Sequence, residues 1–370
     1  MRLRTFMPLL LLALLACHAA PQNKSHGPRP QLPVGKLAPG PDMTVARGGH
    51  TASVLQDFRI LIAGGKDAHG KVLASTEIYD PNKQTFTPAG KMNTPRQGHI
   101  AAVLSDSKIL IAGGASPAGA LASSEDYDYE TGKFTPRGNM HARRVGAAVT
   151  VLRDGSPLVT GGTDGVQSLD SAETYSVLTG KWSPVGKMSS ARVEHTSTLL
   201  ADGRVLITGG ANPKQGILAT AEIFDPKTNQ FTRTGDMHQA RFEHAAVLLP
   251  NGKVLIAGGT SRPDGTGALN SAELYDPATE TFTVTGNLNE ARNKLPDGYV
   301  LLDNRALMLG GAVSAEIFDP RSAAFRPVDG ALDTARYNSA ATQLMDGSVR
   351  IFGGYDASGV STAKSWIYQP

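Results

Sequence analysis

From His195 to Gly210 the chain reads HTSTLLADGRVLITGG, two apolar-rich runs separated by Asp202-Gly203. That pattern predicts two β-strands joined by a tight hairpin. The same succession returns along the chain, with Asp57, Asp106, Asp154, Asp202, Asn251, Asp303 and Asp346 at the turns. Several of these are followed by Gly, as a two-residue type I′ turn requires where both central residues take φ > 0. One acid per hairpin is turn chemistry, because no loop gathers the several oxygens that calcium needs. Each second run ends in Gly-Gly, and a loop of varying length leads to Ala-Glu-Ile-Tyr-Asp-Pro or a relative of it. A short turn then leads to an aromatic: Phe86, Phe134, Trp182, Phe231, Phe282 or Phe325. Each unit therefore predicts four short antiparallel strands.

The units are in register with two markers. An Arg preceded four positions earlier by Met or Leu stands at Arg47, Arg96, Arg144, Arg192, Arg241, Arg292 and Arg336. The Gly-Gly pairs follow at Gly64, Gly113, Gly161, Gly209, Gly258, Gly310 and Gly353, and the two series never fall out of step. A four-stranded unit cannot cover both faces of its own sheet, and radial stacking of such units covers them while leaving only short edges. The expectation is an all-β, seven-bladed β-propeller of four-stranded antiparallel blades over residues 31–370. The seventh unit reaches its third strand at Trp366 to Pro370. Its fourth strand is expected from the N-terminus, where Gln31 to Leu37 (QLPVGKL) matches the segment FTPAGKM that ends at Met92. Pairing of residues near 32–36 with residues near 365–369 would close the ring. With 41 Gly, 23 Pro and 19% charged residues, the composition is that of a turn-dense strand protein, and no helix is expected in the mature part.

Residues 1–17 carry a charged start (Arg2, Arg4), an apolar run from Phe6 to Leu15 too short to span a bilayer, and then Leu14-Leu15-Ala16-Cys17. This is the layout of a secretory signal, and its end resembles the lipobox of bacterial lipoproteins, in which the cysteine is acylated. The resemblance implies a lipid on Cys17, and His18 in place of Asp implies the outer membrane. A periplasmic or secreted protein is the alternative. Residues 18–30 are polar and Pro-rich and suit an extended tether. Without Arg2 and Arg4 the chain has 34 basic against 33 acidic residues and no basic stripe, so no nucleic-acid partner is expected. Cys17 is the sole cysteine, which excludes an internal disulfide and a cysteine zinc site.

Gly-Gly after the second strand, Tyr in the third and an aromatic in the fourth resemble the kelch repeat, and all seven units share the pattern. The closest flavour is the bacterial kelch and galactose-oxidase-like propeller, whose units read HTA…DGRVLIAGG…SAEIYDP. The resemblance implies the fold; oxidases, sugar isomerases and peptide-binding modules all use it. The copper chemistry of galactose oxidase needs a Cys-Tyr crosslink, and the single cysteine here lies in the leader. Neither a cofactor nor a metal is expected.

By similarity to peptide-binding kelch domains, the arginines are expected around one mouth of the central channel, where a ring of guanidinium groups would suit acidic peptides or sugar carboxylates. Structural pairing is the competing use: Glu77, Glu125, Glu173, Glu222, Glu273 and Glu316 stand in the third-strand motif of six units. The seventh has Trp366 there, which singles out Arg336 as the ligand candidate, followed by Arg292 and Arg241. His50, His99, His195 and His244 fall three residues after their Arg, and either pack between blades or ring the channel as metal ligands. The sixth unit departs most, and Lys294, Asp297 and Tyr299 are expected to line a notch on its rim. The loops at 66–76, 115–122, 163–170, 211–220 and 260–270 are expected to share one face and form the binding surface. No Ser-His-Asp or Cys-His arrangement has a distinctive spacing. The expected role is a monomeric, membrane-tethered, non-catalytic binding module for a protein, peptide or glycan, with a carbohydrate-active enzyme as the alternative.

Overall fold

The second strand of most units is a continuous apolar run rather than an alternating one, which marks a strand covered on both faces. In the computed structural model, which describes residues 32–370 except Asp297, Ile60–Ala63, Ile109–Ala112, Val205–Thr208 and Val254–Ala257 are buried at every position. The leader, Cys17 and residues 18–30 of the expected tether lie outside the described residues.

Among the described residues there are seven four-stranded antiparallel sheets and no helix. In the first sheet Thr51–Val54, Ile60–Ala63, Ser75–Asp80 and Thr85–Lys91 succeed one another from the inside outward. The first strands of neighbouring sheets lie side by side around the centre. Seven apolar clusters fill the seams, one between each pair of neighbours. Leu61, Ile78, Ile109 and Tyr127 fill that between blades one and two. Ile60, Ile62, Tyr79 and Phe352 fill that between blades one and seven, so the circle is closed.

Closure is by the N-terminal strand, as expected, but in a later register. Lys36–Pro39 pairs antiparallel with Ser365–Gln369, with Leu37 opposite Tyr368 and Pro39 opposite Trp366. The equivalent of FTPAGKM is thus Leu37 to Met43, and Leu37 takes the place that Phe86 holds opposite Tyr79. Met43 sinks into the seam as Met92, Met140, Met188 and Met237 do. Packing of that methionine, rather than the Gly-Lys ahead of it, sets the register.

The hairpins also differ from expectation. Leu55 and Arg59 pair across a three-residue loop, and only its last residue, Phe58, has φ > 0. The same holds at Ser107, Gly155, Gly203, Gly252, Asn304 and Gly347. This is a type I turn followed by a left-handed residue, not type I′. The Asp sits one place earlier and accepts a hydrogen bond from the backbone N–H two residues on, as Asp57 does from Arg59.

Each Gly-Gly pair joins one blade to the next. A Cβ on Gly64 would lie 2.5 Å from the carbonyl oxygen of Arg96, and one on Gly209 would lie 2.3 Å from that of Arg241. The second glycine donates to that same carbonyl, as Gly65 does to Arg96 at 2.9 Å. Both glycines of the pair have positive φ, so no other residue satisfies both demands.

Candidate functional site

Six of the arginines are consumed by the fold. Arg192 donates to Glu222 at 2.7 Å and to the carbonyls of Gly209 and Thr220, and neither member of the pair meets solvent. Arg47, Arg96, Arg144, Arg241 and Arg292 pair in the same way with Glu77, Glu125, Glu173, Glu273 and Glu316. The second oxygen of each glutamate accepts from the residue that follows the buried Met or Leu: Thr44, Asn93, His141, Ser189, His238 or Asn289.

Arg336 is not an exception open to ligand. Trp366 replaces the glutamate, and Asp333, at the position of those donors, supplies the carboxylate through contacts of 3.0 and 2.8 Å. The guanidinium also lies 5.7 Å over the Trp366 ring. Arg336, Arg292 and Arg241 are all buried, so the expectation that they bind ligand is corrected: desolvated cations demand a carboxylate in place, and each has one. The expected ring of free guanidinium groups does not exist.

The four histidines line the channel, packed against the preceding blade. His99 Nε2 shares a hydrogen bond with Thr51, His195 Nε2 with Thr160, and His244 Nε2 with Thr196 and Thr208. Each threonine belongs to the preceding blade. His50 follows the seventh blade, where Ala340 and Phe352 occupy the threonine positions, and neither of its ring nitrogens has a partner. Burial, and next the arginine three residues earlier, hold His50 and His244 down to about 3 and keep His99 and His195 well below the ordinary range, so all four are neutral.

The symmetry of the channel breaks two residues after each arginine. Gly49, Gly98, Gly146, Glu194, Glu243, Lys294 and Asn338 all have φ between 50 and 65°. Their backbones form a belt in which the N–H of one blade donates to the carbonyl of the preceding one. The links run Gly98 to Gly49, Gly49 to Asn338, Asn338 to Lys294, Lys294 to Glu243, Glu243 to Glu194 and Glu194 to Gly146. Glycine is the residue suited to that conformation, and it fills one arc of three blades. The opposite arc carries Glu, Glu, Lys and Asn at a conformational disadvantage, the sort of backbone strain that collects at functional sites.

These side chains border a channel cavity of about 340 Å³, lined also by His50, Thr51, Thr196 and Tyr299. A second cavity of about 370 Å³ shares Glu194 and Asn338 with it and extends over the glycine arc to Gln97 and Tyr355. Glu194 reaches across Gly146, where a Cβ would come within 2.6 Å of its Oε1. Glu243 Oε1 lies 3.9 Å from Lys294 Nζ, while its Oε2 is buried without a partner. Burial raises both carboxyls, that of Glu243 to about 7, with Lys294 opposing the rise and Glu194 adding to it. The side chain of Glu194 is exposed within the channel, and the protein atoms lining that cavity raise its carboxyl.

Of the sixth-unit candidates, Lys294 and Tyr299 line the channel rather than a notch on the rim, and Asp297 lies outside the described residues. Glu194 and Glu243 escaped sequence reasoning. Their signal was the column Gly, Gly, Gly, Glu, Glu, Lys, Asn two places after the arginines, legible once the units are aligned. The loops after Gly-Gly do share the face of this belt: bridges such as Gly48 to Lys66, Val193 to Ala211 and Phe242 to Thr260 tie the start of each first strand to the start of each loop.

Among known proteins, a family model described as Kelch motif matches residues 158–189, 195–238 and 241–289. No curated protein matches the chain. Of the solved structures, a fungal alcohol oxidase of the AA5 family, in complex with copper, is similar with a TM-score of 0.73 at 18% identity. The match covers 91% of this chain and 76% of that one. At that identity the likeness is one of fold.

Proposed function

The chain belongs to the kelch-repeat β-propellers, and from that premise we propose that it is a binding module which takes a projecting group of a protein, peptide or glycan into the channel mouth on its loop face. One observation carries this reading: in a belt where three blades hold glycine, Glu194, Glu243, Lys294 and Asn338 occupy left-handed positions bordering a cavity. Charged side chains kept where the backbone disfavours them, and free of the arginine-glutamate frame, are spent on something other than folding. The test is capture of partners from the native envelope, with a glycan array in parallel. The triple variant Glu194→Gly, Glu243→Gly, Lys294→Gly should keep the fold and lose what the unaltered chain captures; equal capture by both removes the mouth from the reading.

The same proposal places the protein at the cell envelope, exported and held by a lipid on Cys17. In support, residues 1–17 carry a charged start, an apolar run and then Leu14-Leu15-Ala16-Cys17, the layout of a secretory signal that ends at a cysteine. A Cys17→Ala variant should move from the membrane to the soluble fraction; unchanged fractionation counts against the lipid.

A second reading, a carbohydrate-active enzyme, is favoured by Glu243. A carboxyl raised to about 7 beside a second carboxylate is the pairing that general acid and base catalysis uses. Turnover of a defined sugar, abolished by Glu243→Gln, would decide for it.

A further inference from the structure

We propose that Glu194, Glu243 and Lys294 recognise one cationic group of the ligand, a primary ammonium or a guanidinium, held across the channel mouth. This deepens the binding reading above and rests on it. Two carboxylates face a single ammonium, so the arc carries one uncompensated negative charge when both are ionised. Lys294 does not satisfy its neighbour: 3.9 Å is beyond hydrogen-bond length, and Oε2 of Glu243 is buried with no donor at all. A buried acceptor without a donor is costly, and a turn of the side chain that brings this oxygen to a ligand N–H in the channel removes the cost.

The surroundings do not cancel the charge. Among the described residues, the titratable groups facing the arc are His195 and His244 from their own blades, His50 and His99 across the channel, and Tyr299 beside Lys294. The imidazoles are neutral, and Arg192, Arg241 and Arg292 are committed to Glu222, Glu273 and Glu316. His50, only 6% exposed and with both ring nitrogens unpartnered, is a second polar group in the channel wall without a partner in the fold. An anionic ligand would meet two carboxylates at the mouth, so the arc also selects against it. The glycine arc opposite leaves the room through which the cation arrives.

The proton is a competitor. As pH falls through about 7 Glu243 takes up a proton, the negative excess disappears, and the cation loses its partner. Binding of Nα-acetyl-lysine amide and of glucosamine to the full chain, followed by ligand-observed NMR at pH 8 and pH 5.5, tests this, with Nα,Nε-diacetyl-lysine amide and N-acetylglucosamine as neutral counterparts. At least one cationic probe should bind about ten-fold or more tighter than its neutral counterpart at pH 8, weaken at pH 5.5, and be lost in Glu194→Gln, Glu243→Gln. Which of the two binds tells a basic side chain from an amino sugar. Equal binding of charged and neutral probes, no saturable binding up to about 10 mM, or full binding by the glutamine pair overturns the proposal. If the glycine triple variant loses its captured partner while the glutamine pair keeps it, the mouth remains the site and the cation does not.

Discussion

The substitution of Trp366 for glutamate shows how a buried charge constrains its neighbours. In six blades the carboxylate comes from the third strand and a hydrogen-bond donor precedes the arginine by three positions; in the seventh both have changed, to Trp366 and Asp333. The two positions form one exchangeable unit because a buried guanidinium cannot be left unpaired. Asp333→Asn should therefore destabilise the protein by about 3 kcal/mol or more, and Asp333→Asn combined with Trp366→Glu, which restores the pattern of the other blades, should recover most of it. Denaturant unfolding of the two variants measures both; additive losses would show that the sites are not coupled. Arg336 itself was misread from the sequence because its carboxylate lies three residues away instead of thirty, outside the motif that supplies the other six.

At the scale of the strand and its turns, backbone conformation separates the structural repeat from the site. Phe58 and Glu243 both sit at left-handed positions where other units have glycine. Phe58 ends an exposed hairpin loop, whereas Glu243 stands in the belt and lines the channel cavity. Glycine relieves the backbone cost in either place, so Glu243→Gly or Lys294→Gly should leave stability unchanged or raise it by up to about 1 kcal/mol. The reverse change, Gly146→Ala, brings a Cβ against Glu194 Oε1 and Val193 and should cost about 1–2 kcal/mol. Thermal unfolding of these variants tests whether the charged arc is kept at the expense of stability; loss of stability in the glycine variants would make the arc part of the frame.

For the whole molecule, the four channel histidines set a pH dependence. Their imidazoles are held well below the ordinary value in the folded chain and return to about 6.5 on unfolding, so below that pH the unfolded chain binds more protons and stability falls on acidification. Glu243 acts in the opposite sense between the ordinary carboxyl range and about 7, and Glu194, whose carboxyl burial also raises, acts in the same direction as Glu243, since their protonated forms are favoured in the folded state. Four imidazoles against two carboxyls leave a net loss as pH drops from 7 to 5. His50→Leu, the residue type that Leu295 places at the same position in the sixth blade, should remove on the order of 2 kcal/mol of that loss at pH 5. A melting temperature with the same pH slope in the variant and the parent would show that His50 is not among the groups responsible.

What the sequence determined by itself is the repeat: the continuous apolar second strands, the Gly-Gly pairs and the arginines in step specify seven equivalent sheets, because every unit must hide the same surface in the same way. That periodicity also reveals the glutamate partners of six arginines and the closing role of the N-terminus. Only the tertiary structure decided which repeated charges were left over. Pairing is a property of distance and desolvation, and residues thirty positions apart, or three, compete for the same buried guanidinium. The closure register, the αL hairpin residues and the meeting of Glu194, Glu243 and Lys294 from three blades likewise depend on where the ring brings the backbones together, a relation that no single unit contains.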